Sequence, residues 1–143
     1  MALHLIKLCV GAESLADLRA WTEARRRSRA TSGGVHAHVT RMTPSRGAEL
    51  LDGGSLYWVI KGQIAARQKL IGLEPFVDSA GVKRCALQLD DDIVAVTPQP
   101  CRAFQGWRYF KPEDAPPDLA AAGAGVAEMP EELRRELSGL GLL

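Results

Sequence analysis

Three cysteines, three histidines and two tyrosines are a thin supply of reactive side chains for 143 residues, and none falls into a diagnostic pattern. Cys9, Cys85 and Cys101 are odd in number and widely spaced, which excludes a paired disulfide framework and any C-x-x-C metal or redox motif. All three sit among apolar neighbours, where a thiol is usually inert core. No apolar run approaches the roughly 18 to 20 residues needed to span a bilayer. The apolar N-terminal stretch Leu3–Val10 is broken by Lys7 and lacks the basic flank of an export signal, so a cytoplasmic location without membrane contact is expected. There is no G-x-S-x-G elbow. Gly53-Gly54 lacks the Lys-Ser/Thr of a phosphate-cradling loop, so no cofactor is expected.

Charge of one sign is also missing: the formal net charge is +1. That near-neutrality hides a division along the chain. Residues 1–70 carry 11 Lys/Arg against 5 Asp/Glu, and residues 71–143 carry 7 against 12. Such polarity either builds a basic face or lets two halves neutralise each other on folding.

What is present reads as one α+β domain over 1–118, followed by a linker and short C-terminal helix over 119–143. Leu3–Val10 is apolar at nearly every position, as in a strand covered on both faces. Ser14 is suited to cap a helix over about 14–31, with Asp17 in the capping-box position and Leu15, Leu18 and Trp21 as its inward stripe. Arg25–Arg29 lies at the C-terminal end, where the dipole favours cations, and Gly33-Gly34 stops it. Val35–Thr40 alternates as a half-exposed strand bearing His36 and His38 on one side. Thr43-Pro44 predicts a helix start, giving a second helix over 44–51.

Asp52-Gly53-Gly54 runs into the aromatic and β-branched Leu56–Ile60, turns at Lys61-Gly62-Gln63 and returns with Arg67, Gln68 and Lys69. Val82–Leu89 predicts another strand after the Asp78–Gly81 turn, with Cys85, Leu87 and Leu89 on one face. Ile93–Val96 predicts a short strand ended by Pro98 and Pro100, and the aromatic-rich Phe104–Phe110 the last. A final helix opens at Pro130-Glu131-Glu132 and bears Leu133, Leu137 and Leu140.

His36 and His38 could share a metal ion but lack a third ligand at a diagnostic spacing, and exposed strand histidines are expected instead of a metal site. The better lead is Arg41, Lys61, Arg67, Gln68, Trp107 and Arg108, with Gln105 and Tyr109 nearby. Cations for phosphate, rings for stacking and amides for base edges are the parts that bind single-stranded RNA or a nucleobase. Opposed to that is the structural reading, in which large strand aromatics, Tyr57 or Trp58 among them, are core.

Met1–Lys7, Thr40–Pro44, Asp52–Gln68, Ala103–Tyr109 and Lys111–Asp114 together resemble a bacterial family catalogued as a domain of unknown function, number fourteen eighty-nine. The resemblance covers nearly all of residues 1–119 and implies a small cytoplasmic protein, with no activity to transfer. A fainter likeness, of pattern alone, is to the PUA-like barrels, including the ASCH and EVE groups, which often bind RNA or modified bases. It implies a mixed, largely antiparallel sheet curled into an open barrel with flanking helices, and a non-enzymatic binding module. The alternatives are an amidohydrolase of a modified nucleoside, for which Lys61 and Glu74 are the candidates, and a protein-interaction or assembly factor docking through Arg25–Arg29 or the terminal leucines.

Overall fold

The structure, a computed structural model, describes residues 3–9, 11–32, 37–102, 104–119 and 129–140, with backbone alone at 28–32 and 138–139. Seven strands, β1 (His4–Leu8), β2 (Ala37–Thr40), β3 (Ser55–Ile60), β4 (Gln63–Val77), β5 (Lys83–Leu89), β6 (Val94–Pro100) and β7 (Trp107–Phe110), form one mixed sheet. Three helices accompany it: α1 (Leu15–Ser32), α2 (Gly47–Leu51) and α3 (Glu131–Gly139). The α+β class follows. The strand order is β2-β5-β4-β3-β1-β7, with β6 on the first half of β4, and the sheet is not closed. β1 and β3 are parallel and every other strand pair is antiparallel.

β3 is buried at every position because the sheet has a core on each face. Leu56, Trp58 and Ile60 pack with Leu5, with Leu15 and Leu18 of α1, and with Leu50 of α2. Tyr57 and Val59 pack on the other face with Ile6, Ile64 and Val96. Both central aromatics are therefore core, as large strand residues commonly are. The hairpin turn holds Lys61 at φ 49° and Gly62 at φ 77°, the doubly left-handed backbone that matches the twist of two-residue hairpins. β4 runs 15 residues, pairing β3 and β6 early and β5 late, with register shifts at Ile64/Ala66 and Leu70/Gly72. Such irregularities bend a strand and let it serve two halves of a sheet.

Four local expectations are corrected. Trp21 is not on the inward stripe: it is 38 % exposed under the Arg25 guanidinium, 4.0 Å from its ring, while Thr22 is buried. An i, i+3, i+7 stripe from Leu15 passes through Leu18 and Thr22, which leaves position 21 at the rim. The short helix begins at Gly47, not Pro44, because Ser45 and Arg46 lend their backbone N–H groups to the Tyr109 hydroxyl. On β2 the exposed side chain is Val39, while His38 and Thr40 turn inward. They lie opposite Leu87 and Cys85 of β5, and cross-strand partners share a face. β6 continues through Pro98 to Pro100: Val96 also bridges Asp118, but Pro98 falls in a gap of the register with β4, so no donor to that ladder is lost there. Gly33, Gly34, Val35 and His36, and the Ala/Gly stretch from 120 to 125, lie outside the described residues.

α3 sits against the body through polar contacts. Glu131 accepts from the Leu15 backbone N–H (2.8 Å) at the start of α1 and pairs with Arg135 (2.8 Å), while Gln63 donates to the Arg135 carbonyl (2.8 Å). Arg134 is buried, whereas Leu133 and Leu140 are exposed.

Candidate functional site

Lysine is out of place on an inner strand, yet β1 carries Lys7 between Trp58 of β3 and Trp107 of β7 in the two registers. Alternation forces this: Ile6 and Leu8 turn to one core, so Lys7 turns to the side of Leu5. On that side a recess of about 400 Å³ is lined by Lys7, Arg41, Met42, Arg84, Gln105 and Trp107, among others. Lys7 is half-buried, and no hydrogen bond or ion pair holds its amine among the described residues. Burial pulls its ammonium below the ordinary lysine value, because desolvation disfavours the charged form.

The wall of the recess is fastened by aromatic polar tips, which suit such positions because ring and donor are used at once. Trp107 Nε1 donates to the Met42 carbonyl (2.8 Å), which also accepts from Thr40 Oγ1 (3.1 Å). The Tyr109 hydroxyl accepts from the N–H groups of Ser45 (2.9 Å) and Arg46 (3.2 Å), and the Trp107 and Tyr109 rings meet edge to face at 5.0 Å. The 41–46 loop is thereby bound to β7. Arg84 pairs with Asp78 (2.6 Å), while Arg41 is exposed and without an ion pair or hydrogen bond among the described residues. No carboxylate belongs to the lining. Three cationic side chains, one amide and one indole thus surround a space that is short of negative charge.

Of the six residues singled out in the sequence, Arg41 and Trp107 meet here. The other four do not. Gln68 is fully buried, its Oε1 accepting from Trp58 Nε1 (2.8 Å) and its Nε2 donating to the Asp90 carbonyl (3.0 Å). Lys61 is at the hairpin tip, 3.9 Å from Glu13. Arg108 lies on the face of β7 opposite Trp107, with its guanidinium 4.7 Å from the Phe104 ring. Arg67 grips Asp118 with two N–H groups, each at 2.8 Å, and donates to Ser55 Oγ (3.2 Å). Lys7 was missed as a site residue; the signal was one lysine in an otherwise apolar strand, read only as an interruption. Lys61 and Glu74 do not converge. Glu74 is eleven residues into β4, about 36 Å of strand from its start at about 3.3 Å per residue, and accepts from Gln88 (3.1 Å).

His38 leans edge-on against Trp58 at 5.2 Å, and no group of three His, Cys, Asp or Glu is placed to share an ion among the described residues. Burial pushes the Cys9 thiol up to about 11 and raises Cys85 and Cys101, against nucleophilic use.

Arg67 and Asp118 border a second recess, of about 370 Å³, on the opposite face with His4, Ser55, Tyr57 and Pro117. His4 Nδ1 accepts from the Ser55 backbone N–H (3.0 Å), and its ring meets Tyr57 at 5.1 Å. Burial, then the Arg67 charge, holds the imidazole below its ordinary value of 6.5. A folded value below the unfolded one makes the neutral ring a stabilising partner. That contribution is full above pH 6.5 and shrinks as the pH falls toward and through the folded value. His4→Asn, which keeps an acceptor for Ser55, is expected to lose less melting temperature between pH 7 and pH 5 than the unaltered protein. Parallel losses measured by circular dichroism would contradict this assignment.

Comparison with known proteins gives one match. Residues 5–143 match the family described as protein of unknown function (DUF1489). No curated protein matches the chain, and no solved structure does. No helix among the described residues is long and apolar enough to cross a membrane.

Proposed function

The chain belongs to this family of unknown function, and from its site we propose that it is a binding module for single-stranded RNA or a modified nucleobase, acting in the cytoplasm without turnover. The observation that supports this reading most is the recess whose described lining has no carboxylate and in which Lys7 and Arg41, without partners among the described residues, join Trp107 and Gln105. A phosphate would neutralise Lys7 and Arg41, which no group among the described residues pairs, the indole offers a stacking surface, and the amide offers a donor and an acceptor to a base edge. A volume of about 400 Å³ lies within the range of about 300 to 1,000 Å³ typical of small-ligand sites. The PUA-like likeness belongs to the same proposal: a long bent β4 serving two halves of one sheet suits a curled, barrel-like arrangement.

In fluorescence anisotropy with mixed-sequence oligoribonucleotides at two salt concentrations, binding should be weak and salt-sensitive. Lys7→Gln and Arg41→Ala should each weaken it and flatten the salt slope by about 0.7 per phosphate contact removed. Lys61→Gln, outside the lining of the recess and beside Glu13, should leave it unchanged. Absence of binding at low salt, or equal loss in all three variants, would refute the reading. A second reading, docking of a protein partner on α3, draws on the exposed Leu133 and Leu140.

A further inference from the structure

A half-buried lysine normally has a carboxylate beside it, since an unpaired ammonium away from water is costly. Lys7 has none among the described residues, and the other charged groups of the lining, Arg41 and Arg84, carry the same sign. All five lysines of the chain are described, and the other four, Lys61, Lys69, Lys83 and Lys111, are exposed. Lys7 is therefore alone among the lysines in lining a recess with no partner for its amine among the described residues. Burial, only partly offset by Cys9, favours its free-base form, the form that attacks carbonyl carbon.

We propose that Lys7 is a carbonyl-capturing amine, forming a reversible imine with an aldehyde or ketone that also bears a phosphate, which Arg41 holds. This rests on the reading of the recess as an anion site and names the ligand chemistry it takes. The Nζ lone pair forms a bond to the carbonyl carbon as the C=O π pair moves to oxygen, and a proton passes from nitrogen to that oxygen to give a carbinolamine. Loss of the hydroxyl as water, with loss of the remaining N–H proton, leaves the neutral C=N bond. No electrons are exchanged with any third party. Gln105 and Arg41 bring N–H donors to the recess that can polarise the carbonyl oxygen, and Met42 and Trp107 offer apolar surface to the rest of the ligand.

The test uses the full chain and pyridoxal 5′-phosphate as the probe, with borohydride trapping, intact mass and peptide mapping over a time course. A single adduct on Lys7 is expected first, faster by about tenfold or more than on any exposed lysine, the order expected when burial favours the free amine. Inorganic phosphate should slow it in competition, and Arg41→Ala should slow it severalfold with the melting temperature unchanged. Labelling spread over the five lysines according to exposure, or sparing Lys7, would overturn the proposal, as would indifference to phosphate. A parallel anisotropy titration separates the two readings. RNA binding without selective Lys7 labelling sinks the imine alone, whereas selective, phosphate-sensitive labelling without RNA binding supports the imine and removes RNA as the ligand.

Discussion

Trp58→Ala is expected to destabilise the protein by about 3 to 5 kcal/mol, the range for removing a buried large aromatic, out of the roughly 5 to 15 kcal/mol available to a domain. The ring is 3 % exposed and sits in the middle of β3, between α1 and α2 on one side and the β4–β5 half of the sheet on the other. Its loss would leave a cavity in the larger of the two cores, among leucines held by strands and helices that can relax only in part. The indole N–H adds a second cost: it is the donor to Gln68 Oε1, and Gln68 is fully buried. Trp58→Phe keeps most of the ring and isolates that second component, since a buried acceptor left without its donor costs about 1 to 3 kcal/mol. Urea denaturation of both variants would separate filling from bonding. A small loss in Trp58→Ala would mean that the centre of the sheet is packed otherwise.

Gly54→Ala should be nearly as damaging, although a methyl group is all it adds. A Cβ at this position would stand 2.2 Å from the carbonyl oxygens of both Leu3 and Leu50. Neither neighbour is a flexible side-chain end. The residue is also fixed from both sides, its N–H donating to Leu50 O (2.9 Å) and its carbonyl accepting from Leu70 N–H (3.0 Å). Backbone must therefore move where α2, β1 and β4 meet, at or beyond the upper end of the about 1 to 3 kcal/mol usual for overpacking. A melting temperature close to that of the unaltered protein would show that the α2–β3 junction is looser than these contacts imply.

Much of the frame was legible in the chain because its signals are local. Asp52-Gly53-Gly54 closing a helix, Lys61-Gly62 turning a hairpin and the alternation of Cys85, Leu87 and Leu89 each depend on a few adjacent residues, and each is found in place. Thr43-Pro44 misled for a tertiary reason: the backbone donors that a cap would satisfy are answered at Ser45 and Arg46 by Tyr109, more than sixty residues away. β2 also misled, since alternation tells which residues share a face and not which face is covered. The registry against β5 decides that.

For the site, residue chemistry alone did not discriminate. Arg41 and Arg67 look alike in the sequence, yet one has no partner among the described residues and the other is held by Asp118, fifty-one residues on. Gln68, a good candidate for reading a base, is needed by Trp58 and the Asp90 carbonyl inside the core. Sequence by itself determined the α+β class, the family and the positions of most turns, because backbone preference and hydrophobic period are properties of neighbouring residues. Only tertiary structure decided which polar groups remain uncommitted. A side chain's partner can come from anywhere in the chain, and it is the absence of one that leaves Lys7 and Arg41 facing an open recess.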